Sequence, residues 1–128
     1  MPGPILIVDV DRAMQELVAD VLSEAGYDVQ TATQGSAALF LVGQATPDLI
    51  VLDITMPVMD GPTFARRLAA RGVAVPILVI TSATSAQVAD EMGAAACLIK
   101  PFEASDLLDT VYRLLGEADQ PRPLWDYL

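Results

Sequence analysis

The chain contains no histidine, a single cysteine and only seven lysines and arginines in 128 residues. Without histidine there is no imidazole to activate a serine or cysteine nucleophile, and zinc loses one of its main ligands. Cys97 cannot close an internal disulfide, which fits a reducing cytosol. The seven basic residues face seventeen acidic ones, giving a net charge of -10. A chain this acidic repels nucleic acid unless another module supplies a positive field. Long apolar runs are also missing. Ile5-Leu6-Ile7-Val8 and Leu49-Ile50-Val51-Leu52 fall far short of the roughly 20 residues of a membrane span. Met1-Pro2-Gly3-Pro4 has neither the basic start nor the apolar stretch of a signal peptide. The expectation is a cytoplasmic protein with no direct nucleic-acid contact and no membrane contact.

Hydrophobic residues make up 53% of the chain, enough for one domain with a real core, while the length is too short for two domains. Met14, Leu17, Val18, Val21, Leu22 and Ala25 follow helical spacing, and Gly26 stands where a cap belongs. Leu107, Leu108, Val111, Leu114 and Leu115 repeat the pattern ahead of Gly116. Residues 36–44 and 62–71 are further helices, the latter with Pro62 suited to the first helical position. Residues 86–92 form a weaker helix whose large apolar side chains are Val88 and Met92, so it should be the most loosely held.

Strands are expected at residues 4–8, 27–32, 49–53, 77–81 and 96–99. Four are continuous apolar runs, the mark of parallel strands buried on both faces, while 27–32 alternates and suits an edge. Strand and helix alternate five times. That predicts an α/β fold, a doubly wound five-stranded parallel sheet of (βα)5 type with strand order 2-1-3-4-5 and a site where the winding reverses. The domain spans residues 4–116. Residues 117–128 read as a linker followed by an apolar ending. They are either a mobile tail or the stub of a longer protein, or a segment whose Trp125 and Tyr127 dock on this domain or on a second copy.

Each apolar strand ends in a polar residue that can do chemistry. Asp9 follows the first, Asp53 closes the third, Thr81 closes the fourth and Lys100 follows the fifth. If the strands are parallel neighbours, acids, a hydroxyl and an amine meet at one sheet edge, a set suited to handling a phosphoryl group.

The chain resembles a response-regulator receiver domain of two-component signal transduction. The resemblance rests on Ile5-Leu6-Ile7-Val8-Asp9, on Asp53-Ile54-Thr55-Met56-Pro57-Val58-Met59-Asp60-Gly61, on Pro76-Ile77-Leu78-Val79-Ile80-Thr81 and on Lys100-Pro101-Phe102, in that order. It implies that Asp53 is the phosphoacceptor, forming an acyl phosphate that water later hydrolyses. Lys100 would pair with Asp53 and then with a phosphate oxygen, and Thr81 would be the switch hydroxyl. The other role open to Thr81 is a helix cap, which Ser82, Thr84 and Ser85 could fill equally well. The resemblance also implies a cis Lys100-Pro101 bond, and Mg2+ held by Asp9, Asp53 and the backbone carbonyl of Thr55. The donor would be a phosphohistidine on a histidine kinase or a histidine phosphotransfer protein, and the output a downstream protein effector, with weak pairing of two copies open. Such a protein catalyses at most its own phosphorylation and dephosphorylation, and is not otherwise an enzyme. No DNA-binding segment follows, so the expectation is a single-domain relay or a piece of a larger regulator.

Two positions depart from the family pattern. Val10 stands where a second acid usually binds the metal, and a valine cannot coordinate a hard cation. Asp11 could compensate only if the loop shifted register. Cys97 stands where a Tyr or Phe usually reports phosphorylation outward, and reads as a small buried residue rather than a redox sensor. These departures motivate an alternative, a phosphorylation-independent pseudo-receiver acting by protein contact. A remote alternative is a haloacid-dehalogenase-like phosphatase, since Asp9-Val10-Asp11 resembles its D-x-D with Asp9 as nucleophile.

Overall fold

The computed structural model describes residues 3–54 and 60–116. The described chain runs β1 (Ile5–Val8), α1 (Arg12–Glu24), β2 (Val29–Ala32), α2 (Gly35–Gln44), β3 (Leu49–Asp53), α3 (Gly61–Ala70), β4 (Ile77–Thr81), a short 3-10 turn (Ala83–Ser85), α4 (Ala86–Glu91), β5 (Ala96–Ile99) and α5 (Ala104–Leu114). The strands form one parallel sheet in the order β2-β1-β3-β4-β5. This is the doubly wound topology expected from the alternation of apolar runs and helical stripes.

Successive strand residues point to opposite faces, which divides the core in two. Leu6, Val8, Ile50 and Leu52 pack against Ala38, Leu39, Val42, Phe64 and Leu68 of α2 and α3. Ile5, Ile7, Leu49, Val51, Leu78 and Ile80 pack against Val18 and Leu22 of α1 and Leu107, Leu108 and Val111 of α5. Burying both faces of β1, β3 and β4 requires their unbroken apolar runs.

The helix ends follow local chemistry. Asp11 caps α1, its side chain accepting from the Ala13 and Met14 amides. Asp60 caps α3 by accepting from the Thr63 amide at 2.8 Å, and this bond holds its carboxyl below the usual range. Glu103 and Asp106 form a reciprocal capping box at the start of α5. By contrast, α4 has a single fully buried residue, Ala89, and its cap makes no side-chain bond. Val88 and Met92 are only partly buried against Ile54, Val79 and Ala89.

Three expectations need correction. The second strand begins at Val29 rather than at residue 27, because the Tyr27 amide is taken up by the Leu22 carbonyl at the end of α1. Gly61 rather than Pro62 opens α3, since Asp60 is the cap and Pro62 occupies the second position. β5 is not buried on both faces. It is an edge strand whose residues are half-buried, and Ile99 is 37% exposed. The short apolar run matches those of strands buried on both faces, but α4 beside it is too small to cover that side.

Candidate functional site

The sheet register brings the four polar strand ends together. Val8 is paired with Leu52, so Asp9 and Asp53 follow side by side at the tips of β1 and β3. Asp53 is level with Ile80 of β4, which places Thr81 one residue beyond it. Thr81 is paired with Ile99, and its carbonyl accepts the Lys100 amide at 2.8 Å. The Lys100 ammonium Nζ then lies 3.7 Å from Asp53 Oδ2. The Lys100-Pro101 bond is cis.

Asp9 is buried, 3% exposed, and its Oδ1 accepts the Asp11 amide at 2.9 Å. Burial pushes its carboxyl up to about 6, the Asp11 amide draws it down, and the charge of Asp53 raises it, with a smaller lowering from Lys100. The nearness of the Asp53 side chain adds further to the rise. Asp9 is thus half of a crowded acid pair with an ammonium beside it.

This donor set suits a hard divalent cation. Magnesium is commonly held by one or two carboxylates while keeping several waters, and two neighbouring carboxylates gain when a cation offsets their mutual repulsion. Among the described residues no group of three or more His, Cys, Asp or Glu side chains forms a metal cluster, so the side-chain ligands on offer are Asp9 and Asp53. The third expected ligand, the Thr55 carbonyl, lies outside the described residues, as do Trp125 and Tyr127. Val10 is 45% exposed on the loop above Asp9. Asp11 does not replace the missing acid, because its carboxylate is engaged as the α1 cap. The same engagement removes it from the general-acid role that a D-x-D phosphatase would require.

Thr81 is 4% exposed, and its hydroxyl makes no hydrogen bond to any described group. It caps neither following helix. Ser82 and Ser85 hold those positions without side-chain bonds, and the Ser82 and Thr84 hydroxyls lie 3.0 Å apart. Cys97 on β5 is half-buried and packs with the Ile54, Val79 and Ala89 cluster. Burial pushes its thiol up, with help from Asp90, the opposite of what a reactive thiolate needs.

Sequence reasoning missed Gln15. It is 8% exposed, and its Nε2 donates to the Ala32 carbonyl at 2.9 Å and to the Asp9 carbonyl at 3.4 Å. It therefore ties the start of α1 to the tips of β1 and β2 and fixes the backbone that carries Asp9. The available signal was its spacing. Gln15 sits three and seven residues before Val18 and Leu22, a polar residue on the buried stripe of the helix.

The family model for the response regulator receiver domain matches residues 5–112. The chain belongs to that family. The chain is 42% identical over 118 residues to the response regulator MprA of Mycolicibacterium vanbaalenii, covering 90% of this chain and 51% of that protein. It is 39% identical over 123 residues to the DNA-binding dual master transcriptional regulator RpaA of Synechocystis, covering 91% of this chain and 50% of that one. This receiver therefore spans about half the length of the curated relatives it matches. Among solved structures, a putative response regulator from Chloroflexus aurantiacus superposes with a TM-score of 0.84 at 36% identity, over 91% of this chain and 99% of the other. The chemotaxis protein CheY4 of Vibrio cholerae gives 0.80 at 34% identity, over 89% and 99%. No described helix is long and apolar enough to cross a membrane.

Proposed function

We propose that this receiver accepts a phosphoryl group on Asp53 from a phosphohistidine of a histidine kinase or histidine phosphotransfer protein, and that the acyl phosphate shifts a protein-binding surface. The observation that carries the reading is the Lys100 ammonium 3.7 Å from Asp53, beside Asp9 and next to a buried Thr81 hydroxyl with no hydrogen-bond partner among the described residues. An Asp53 oxygen attacks phosphorus, the bond from phosphorus to the donor imidazole nitrogen breaks, and the imidazole leaves with that electron pair and takes up a proton. Positioning and charge neutralisation supply the catalysis, because phosphoryl transfer asks little covalent chemistry of the protein. Lys100 neutralises a phosphoryl oxygen, and Thr81 supplies a hydroxyl for another. Mg2+, held by Asp9, Asp53 and the Thr55 carbonyl, would shield the acid pair from the incoming anion. The chemistry is confined to the chain's own aspartate, so the protein is a switch rather than a turnover enzyme.

Movement of Thr81 toward the phosphate would pull on Ser82 and the turn into α4. α4 is the least buried helix, so the surface it shares with β5 and α5 is the natural place for a downstream protein to sense the change.

A second reading, a pseudo-receiver that works by contact alone, is favoured by one observation: Val10 replaces an acid and Asp11 does not substitute for it. One experiment separates the two. Wild-type protein incubated with acetyl phosphate and Mg2+ should gain one phosphoryl mass, and Asp53→Asn should gain none. No gain in the wild type, and none after Val10→Asp, would establish the pseudo-receiver.

A further inference from the structure

The charge of this acidic chain is unevenly distributed. Helices α2 and α3 contain no Asp or Glu, yet α3 and its end carry Arg66, Arg67 and Arg71, three of the seven basic residues. Arg66 lies close enough to Asp60 to lower its carboxyl, while Arg71 reaches across to the α2 carbonyl of Leu39 at 3.1 Å. Arg67 and Arg71 line a groove of about 410 Å³ between the two helices together with Phe40. Phe40 is 66% exposed, the most exposed large hydrophobic side chain among the described residues.

The next most exposed, Leu17 at 53%, sits in the opposite electrostatic setting. It lies on α1 with Asp20 three residues and Glu24 seven residues further along the same exposed stripe, and Glu16 beside it. α1 packs on the sheet face opposite to α2 and α3. One molecule therefore carries an apolar residue ringed by carboxylates on one face and an apolar residue flanked by guanidinium groups on the other.

We propose that the α2–α3 groove docks the α1 face of a second copy of this chain, with Leu17 entering beside Phe40 and Asp20 facing Arg67. The contact is head-to-tail rather than two-fold, because a two-fold contact would set like charges against each other. It is independent of whether Asp53 is phosphorylated. A single apolar pair and a few exposed charges make it weak and salt-sensitive. The chain itself carries both complementary halves, which singles out a second copy over an unrelated acidic partner.

Sedimentation velocity of the whole chain over a concentration series tests this. At low salt the average mass should rise with concentration, and it should fall back toward the monomer at about 0.5 M salt. Arg67→Glu and Asp20→Arg are exposed substitutions that break none of the described side-chain bonds, and each alone should abolish the rise. An equimolar mixture of the two should restore association, because the reversed charges meet in the mixed pair. Phe40→Ser should weaken association at every salt concentration. Far-UV circular dichroism would verify that each variant is folded. A wild type that stays monomeric throughout, association untouched by these variants, or a mixture that remains monomeric would each overturn the proposal, and the first would leave the basic groove to a different, acidic partner.

Discussion

Asp9 and Asp53 stand side by side at the tips of β1 and β3, and burial of Asp9 together with the charge of Asp53 makes the Asp9 carboxyl hard to ionise. The Asp9 carboxyl, raised from 3.8 to about 6, therefore keeps a proton that an ordinary carboxyl would lose. The folded protein thus binds this proton more tightly than the unfolded chain does. That contribution to stability is fully present below about pH 4 and is lost as pH rises through about 6. Above that range ionising Asp9 costs the folded protein on the order of 3 kcal/mol. Asp9→Asn should therefore be more stable than the wild type at pH 8 by up to about 2–3 kcal/mol, with the advantage gone at pH 4. Urea unfolding midpoints across this range, without added metal, measure it. An advantage that does not change with pH would trace to packing rather than to charge.

Val10 makes the opposite experiment available. A third carboxylate at this exposed position adds a metal ligand but also adds repulsion to the acid pair. In Mg2+, Val10→Asp should bind the ion more tightly by at least about 10–100-fold, the range seen for losses of weaker, outer contacts. In EDTA the same variant should unfold more easily than the wild type. Titration calorimetry with Mg2+ and thermal unfolding with and without chelator check the two arms. Equal Mg2+ affinity in both proteins would show that the loop above Asp9 does not present residue 10 to the ion.

Strands at Leu49–Asp53, Ile77–Thr81 and Ala96–Ile99 were legible to the residue, because each apolar run stops at a polar residue that reaches the sheet edge. The grouping of Asp9, Asp53, Thr81 and Lys100 follows from those ends and from the strand order. What was not legible depended on tertiary partners. Sequence could not tell that the Tyr27 amide closes α1 rather than joining a strand, nor that β5 lacks cover on one side. Asp11 illustrates the limit most clearly. An acid two residues after Asp9 could coordinate metal or cap a helix, and only the geometry at Ala13 and Met14 decides for the cap. Gln15 was overlooked because a polar side chain within an apolar stripe looks like an interruption until its two carbonyl partners are known.

Gly61 controls how the chain returns from the site. Its amide donates to the Ile54 carbonyl at 2.7 Å, and a Cβ added there would come within 3.0 Å of the Ile54 Cα and carbonyl oxygen. Those are backbone atoms, so they cannot rotate aside as a flexible side chain would. Gly61→Ala should cost about 1–3 kcal/mol through overpacking. Ile54 immediately follows Asp53, so the same change should also slow phosphorylation by acetyl phosphate. Loss of stability with an unchanged phosphorylation rate would show that the displacement is absorbed without moving Asp53.

Thr81 separates stability from switching. Its hydroxyl is buried without a described hydrogen-bond partner, a condition that costs roughly 1–3 kcal/mol for a polar group. Valine has nearly the same shape and no hydroxyl. Thr81→Val should therefore be as stable as the wild type or more stable by about 1 kcal/mol, since an apolar isostere removes that penalty. It should still accept phosphate at Asp53, though more slowly for want of the hydroxyl that meets a phosphoryl oxygen, because Asp53 and Lys100 are unaltered. It should not pass the event on, since no hydroxyl remains to follow the phosphate and move the turn into α4. Hydrogen exchange comparing the phosphorylated and unphosphorylated proteins reads this directly: amides from residue 82 to residue 93 should change in the wild type and in Thr81→Ser, and stay constant in Thr81→Val. The same exchange response in Thr81→Val would mean that the phosphate reaches α4 by another route and that the hydroxyl has no part in switching.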